Sequence, residues 1–204
     1  MSGEWRVGSG EWEDYYRRRA GKPPRESLLK ALELFDGPGL AVDLGCGSGI
    51  DTLELLRQGW RVVAVDSEPQ ALAWLESAAP PAWQARLEMR QGMFEAIELP
   101  ACDLVNASAS LPFCAPAHFD LFWGKIVMAL GRNGRFAGHF FGDRDDWSSN
   151  PEMTFHRAEQ VQSLLADFEI EWLVEKEYEE ERPGGEWKHW HSFEVVARKV
   201  IGKR

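Results

Sequence analysis

Apolar runs and helical periodicities alternate along this chain. Ala41-Val42-Asp43-Leu44 is an apolar run that breaks into glycines, after which Ile50, Leu53, Leu55, Leu56 and Trp60 recur at roughly helical spacing until Gly59 punctuates the end. Arg61-Val62-Val63-Ala64-Val65 follows at once and stops on Asp66. The pattern is strand, tight turn, helix, strand. Ser67-Glu68-Pro69-Gln70 then supplies a cap and an early proline for a helix reaching about Ala78, with Leu72, Trp74 and Leu75 on its buried face. A third strand covers Leu87 to Arg90, and a fourth starts at Cys102 and ends in the loop Asn106 to Phe113. A helix from about Ala117 to Leu130 leads through the turn Gly131-Arg132-Asn133-Gly134, which can supply left-handed backbone, into a fifth strand, Arg135 to Phe141.

Beyond it the periodicity predicts a helix over Met153 to Leu165 and a strand from Ile170 to Glu181. Arg182-Pro183-Gly184-Gly185 then turns the chain into the alternating run Trp187 to Ala197, which closes a β-hairpin. At the other end, Gly10 to Arg19 mixes aromatics with a basic cluster and reads as a short helix stopped by Pro23-Pro24. A second helix carries Leu28, Leu29, Leu32, Leu34 and Phe35. Strands separated by helices predict an open, mostly parallel α/β sheet wound on both faces, a Rossmann-like architecture. No repeat or linker interrupts the elements, so residues 1–204 are expected to form a single domain, with N-terminal helices over 1–36 and the sheet and hairpin over 37–204.

Composition narrows the function. A net charge of -10 argues against a grip on DNA or RNA, which depends on clustered Lys and Arg. No apolar run approaches the roughly 20 residues needed to cross a bilayer, and the N-terminus lacks a signal-peptide core, so a soluble cytoplasmic protein, monomer or homodimer, is expected. Three cysteines without metal-ligand spacing argue against a disulfide framework or a zinc site. Ten tryptophans suit a pocket for flat, apolar ligands.

The chemistry concentrates at the first turn. Glycines at positions 45, 47 and 49 permit positive φ and remove Cβ atoms between main chain and ligand, which makes a cradle. Asp66 stands about 20 residues beyond the first glycine, where a carboxylate can accept from ribose hydroxyls. Asp43 stands two residues before that glycine; it would repel a diphosphate and attract an ammonium group. The ligand should therefore carry positive charge.

Val42-Asp43-Leu44-Gly45-Cys46-Gly47-Ser48-Gly49, with Asp66 downstream, resembles the first two motifs of class I S-adenosylmethionine-dependent methyltransferases. The resemblance implies a seven-stranded sheet of order 3-2-1-4-5-7-6 with an antiparallel last strand, S-adenosylmethionine as cofactor, and a small-molecule methyl acceptor in the manner of the tellurite-resistance and thiopurine branch. It places Asp43, Gly45, Cys46, Gly47, Ser48, Gly49, Asp66, Ser67, Met93, Phe94, Asn106 and Ala107 around the cofactor, with Tyr16 and Arg25 reaching it from a lid-like N-terminal segment. Trp12, Tyr15, Leu111, Phe113, His139, Asp143 and Trp147 are the candidates for the acceptor pocket, and no catalytic base is identifiable. An NAD(P)-binding oxidoreductase and a non-catalytic S-adenosylmethionine-binding protein are the alternatives. His189 and His191 share one strand face, yet no third metal ligand accompanies them, so no metal is expected.

Overall fold

The computed structural model describes residues 19, 21–182 and 185–200; Trp12, Tyr15 and Tyr16 lie outside them. Helix α1 (Glu26–Leu32) precedes strand β1 (Leu40–Leu44), and α2 (Ile50–Arg57) joins it to β2 (Arg61–Asp66). Helix α3 (Pro69–Ala78) leads to β3 (Leu87–Gln91), and β4 (Cys102–Ala107), α4 (Pro116–Ala129) and β5 (Leu130–Gly142) follow. The chain ends in β6 (Phe155–His156), α5 (Ala158–Leu164), β7 (Phe168–Glu181) and β8 (Trp187–Lys199). Neighbours in the sheet run β3-β2-β1-β4-β5-β8-β7. Strands β1 to β5 pair in parallel, and β8 enters antiparallel between β5 and β7.

The expected order 3-2-1-4-5-7-6 is this one, with the two hairpin strands moved up by one place in the chain. The extra strand is β6, two residues paired with β5 at Phe141 and Gly142. It occupies the start of the helix expected from Met153. Thr154 ties the chain down there: its N–H donates to the Pro112 carbonyl and its hydroxyl to the Cys114 carbonyl. With those groups committed to long-range partners the backbone stays extended, and the helix begins only at Ala158, where the Gln160 side chain accepts from the Arg157 N–H. The expected turn at Gly131–Gly134 lies within the span of β5 as an irregularity of pairing, with Asn133 left-handed at φ 62°.

Alternation along the strands builds two cores, one on each face. Val42, Val63, Val105, Phe136, Phe140 and Phe193 face α4 and α5, where Trp123 meets Phe136 and Phe140 edge-on at 5.0 and 5.5 Å. Ala41, Val62, Ala64, Leu104, Ala137 and Val196 face the other way, against Leu28 and Ala31 of α1 and Leu55 and Leu56 of α2. The same parity decides where the polar groups go. Asp43 pairs in register with Asn106, and Asn106 with Ala137, so both polar side chains emerge on the α1 and α2 face.

Candidate active site

The elbow between β1 and α2 is held open by geometry that side chains resist. Gly45, Gly47 and Gly49 have φ of 66°, 54° and 86°. A Cβ on Gly45 would lie 2.4 Å from the Ser110 Cβ, and one on Gly49 would lie 2.5 Å from a methyl of Leu75. The elbow is pinned to the end of β2: the Cys46 N–H donates to the Val65 carbonyl at 3.0 Å, and the Gly47 N–H to Asp66 Oδ2 at 2.8 Å. Asp66 Oδ1 accepts from the Glu68 N–H at 2.9 Å. Each oxygen keeps further acceptor capacity. Burial raises the Asp66 carboxyl above the usual range against the pull of those N–H donors.

Below the elbow two carboxylates share one amide. Asn106 Nδ2 donates to Asp43 Oδ1 at 2.8 Å and to Asp51 Oδ2 at 3.1 Å. Thr52 donates to the other oxygen of Asp43, and the Arg25 N–H donates to Asp51 Oδ1 at 3.0 Å. Both acids are buried, and burial first, then the nearby Asp51 charge, pushes Asp43 up to about 7. Asp51 and Thr52 were not among the expected site residues. Their signal was present, an acid and a hydroxyl in the first turn of the helix leaving the elbow.

The other expected residues separate into groups. Ser108, two residues beyond Asn106, donates to the Asn106 Oδ1 and extends the network upward; Ala107 is buried beside it. Phe94 stacks on Phe122 at 4.8 Å and comes within 3.7 Å of where a Gly45 Cβ would stand, whereas Met93 is exposed. Leu111 is enclosed in the core facing α4. Phe113 is half-buried on the same short turn. His139 is buried, with Nε2 3.1 Å from the Ser27 hydroxyl of α1. Burial, then the Arg25 charge, lowers it to about 3, so it is neutral.

Asp143 is exposed, but the loop it opens is not simply solvated. Asp145 and Lys188 form a fully buried ion pair, and the Lys188 ammonium lies 4.3 Å from the Trp147 ring centre and 3.8 Å from that of Trp190. Burial pulls the lysine down while Asp145 pulls it up. The sequence pointed to Asp145 and Trp147 in this loop and missed Lys188 and Trp190, which only the β7–β8 hairpin brings to it.

Glu175, Glu177 and His191 also converge, but their atoms are committed to one another. His191 Nδ1 accepts from the Arg144 N–H at 3.1 Å, which leaves Nε2–H to donate to Glu175 at 2.9 Å. The Arg144 guanidinium already sits on both glutamates, at 2.7 and 2.8 Å. A cation would have to displace that arginine and invert the ring's tautomer. His189 is held by Glu177 and Glu179.

Comparison with known proteins adds to this geometry. Residues 42–138 match the family model of a methyltransferase domain. The chain is 35% identical over 92 residues to the magnesium-protoporphyrin O-methyltransferase of Rhodobacter capsulatus, a match covering 45% of this chain and 39% of that protein, so it spans well under half of this curated relative's length. Among solved structures, TehB from Haemophilus influenzae superposes with a TM-score of 0.76 at 16% identity, over 92% of this chain and 67% of that one. The 1,6-didemethyltoxoflavin-N1-methyltransferase of Burkholderia thailandensis, solved with 1,6-didemethyltoxoflavin and S-adenosylhomocysteine, superposes with a TM-score of 0.68 at 23% identity, over 94% of this chain and 84% of that one. These likenesses are likenesses of fold. Among the described residues no helix is long and apolar enough to cross a membrane.

Proposed function

From the match of residues 42–138 to the methyltransferase domain model, together with the elbow, we propose that this protein is an S-adenosylmethionine-dependent methyltransferase of the class I type acting on a small-molecule acceptor. The observation that carries the reading is the elbow with its acids. Three left-handed glycines leave the backbone bare, Asp66 offers acceptor capacity for a ribose diol, and the Asp43 and Asp51 pair supplies a field for the ammonium of the methionyl end. Neutral donors hold those acids: a hydroxyl, an amide and backbone N–H groups. Phe94 offers the adenine an apolar edge, with Met93, Ser67 and Ala107 near its rim, while Cys46 and Ser48 serve as small residues of the turn.

The bound sulfonium supplies an activated methyl group. The protein's part is to hold the acceptor atom about 3 to 3.5 Å from that methyl, in line, in a water-poor space. Neutral His139, fixed by Ser27 beside the Asn106 and Ser108 network, borders that space on β5 and keeps it free of added charge. Single-domain organisation over 1–204, a lid from 1–36 carrying Trp12, Tyr15 and Tyr16, a monomer or homodimer, and a cytoplasmic setting without nucleic-acid partners belong to the same reading. The net charge of -10 supports the last of these.

The test is transfer of label from methyl-labelled S-adenosylmethionine to an acceptor panel, with binding of S-adenosylhomocysteine and NADH measured alongside. Binding of the adenosyl-sulfur ligand with label transfer is the expected result. Binding of NADH in its place would make the chain an oxidoreductase, and adenosyl binding with no transfer to any acceptor would make it a non-catalytic binder.

A further inference from the structure

The start of α1 is fastened to the site at two points. The Arg25 N–H donates to Asp51 Oδ1 at 3.0 Å, and two residues on, the Ser27 hydroxyl lies 3.1 Å from His139 Nε2. His139 stands two residues beyond Ala137 on β5, on the face that carries Asp43 and Asn106. The last paired residues of β4 and β5 are Ala107 and Gly138, so Ser108 leaves β4 level with His139. The imidazole therefore sits at the strand ends, one strand over from the amide that holds Asp43 and Asp51.

Proton accounting fixes which nitrogen of that ring carries hydrogen. Ser27 is fully buried, and its hydroxyl has no other hydrogen-bond partner among the described residues. A buried hydroxyl must place its proton, and Nε2 is the acceptor in reach, so Ser27 donates and the ring holds its own proton on Nδ1. Among the described residues two buried side-chain nitrogens are sealed without a partner, His156 Nδ1 and Trp190 Nε1. His139 Nδ1 is not one of them, and no described residue accepts from it. That N–H is thus unpaired yet not closed off, and the residue keeps 4% of its surface.

Such a donor suits an oxygen that bears negative charge. The charges acting on the ring are positive, Arg25 first, then Lys176 and Arg19. Glu194, in register with His139 on β8, and Glu26 of α1 are both taken up by Lys176, at 2.9 and 3.4 Å. Burial and those cations bring the imidazole to about 3, so it takes no proton near neutral pH. An amine, an alcohol or a phenol would leave a proton to be taken up, since even a phenol ionises only at about pH 10. A carboxylic acid ionises at about pH 4 and needs no base.

We propose that the methyl acceptor is a carboxylate, one oxygen accepting from the His139 Nδ1–H while the other takes the methyl, and that Ser27 is the positioning residue that fixes the ring's tautomer. The proposal deepens the methyltransferase reading and rests on it. The second oxygen attacks the methyl carbon, the carbon–sulfur bond breaks, and its electron pair stays on sulfur. A methyl ester and a neutral thioether result, no proton moves, and two opposite charges cancel in a water-poor space.

The test uses the full chain, its histidine rings labelled with nitrogen-15, saturated with S-adenosylhomocysteine. The His139 signals are assigned by their loss in His139→Gln. Acetate, acetamide and methylammonium, small enough to enter a seat of any shape, are the probes. The native ring is expected to show the Nδ1–H tautomer, and acetate to shift Nδ1 at concentrations at which the other two do not. Ser27→Ala is expected to give mixed tautomers and to weaken acetate about threefold or more, while the affinity for S-adenosylhomocysteine stays within about twofold. Label transferred from methyl-labelled S-adenosylmethionine is expected to leave the product in alkali as methanol, as from an ester. An Nε2–H tautomer in the native chain, an Nδ1 unmoved by acetate or moved equally by all three probes, or label that resists alkali overturns the proposal while S-adenosylhomocysteine still binds. Failure of S-adenosylhomocysteine itself to bind the native chain overturns the reading beneath it.

Discussion

Two regions of this molecule bury charge, and they treat it in opposite ways. At the elbow, Asp43, Asp51 and Asp66 are enclosed with neutral donors around them, and the first and last of these are raised above the ordinary range. At the hairpin end, Asp145 is buried directly against Lys188, and on the surface beside them Glu175 and Glu177 hold Arg144. The second region has spent its charges on itself and is a framework. The first keeps acidity in reserve, which costs folding stability and suits a site awaiting a cation. Removing a charge should therefore harm the hairpin and relieve the elbow.

The largest effect is expected at the hairpin. Asp145→Ala leaves the Lys188 ammonium buried without its counter-charge, and a loss of about 3 to 5 kcal/mol is expected in urea unfolding. The double variant Asp145→Leu with Lys188→Met should recover most of it. Next comes Gly49→Ala, which meets both a left-handed φ and a 2.5 Å approach to Leu75. Strain and overpacking together should cost about 2 to 4 kcal/mol, with cofactor binding lost as the elbow shifts. Asp66→Ala should be milder for the fold, yet weaken S-adenosylhomocysteine by about tenfold or more, since it strips the ribose contact and the Gly47 anchor together. Affinity undiminished in that variant would remove Asp66 from the site.

The smallest change sharpens the comparison most. Asp43 has a folded-state pKa of about 7 against an ordinary 3.8. The folded protein thus holds a proton that the unfolded chain has released, so stability falls as pH rises from about 4 to about 7 and stays reduced above that. Asp43→Asn should therefore melt higher than the native protein at about pH 8, with the gap closing toward about pH 4. The same variant should bind the cationic ligand more weakly. A gap that widened on acidification would contradict the assignment.

Much of the elbow could be read before any coordinates, because its parts are local. Strand, glycines, helix and terminal acid fall within residues 41–66, and each has its own backbone or side-chain requirement. Strand order and the antiparallel return at the end came instead from the resemblance to the methyltransferase family, because which strands become neighbours is not a local property. What escaped the sequence was joined over distance. Lys188 meets Asp145 across 43 positions, and Thr154 meets Cys114 across 40, the bond that turned an expected helix start into a strand. Asp51 escaped differently, as a helix-start acid whose partners Asn106 and Arg25 lie on separate elements. Its residue type gave no hint of that pairing.

The account stands on the elbow as the seat of an adenosyl ligand with a cationic amine. Its most direct test is calorimetry of S-adenosylhomocysteine binding near neutral pH, repeated in buffers of different ionisation enthalpy. Micromolar affinity, about -8 kcal/mol, is expected, with protons released to the buffer as the ammonium ionises Asp43. No binding, or binding without any proton release at a pH where Asp43 is half-protonated, would contradict it.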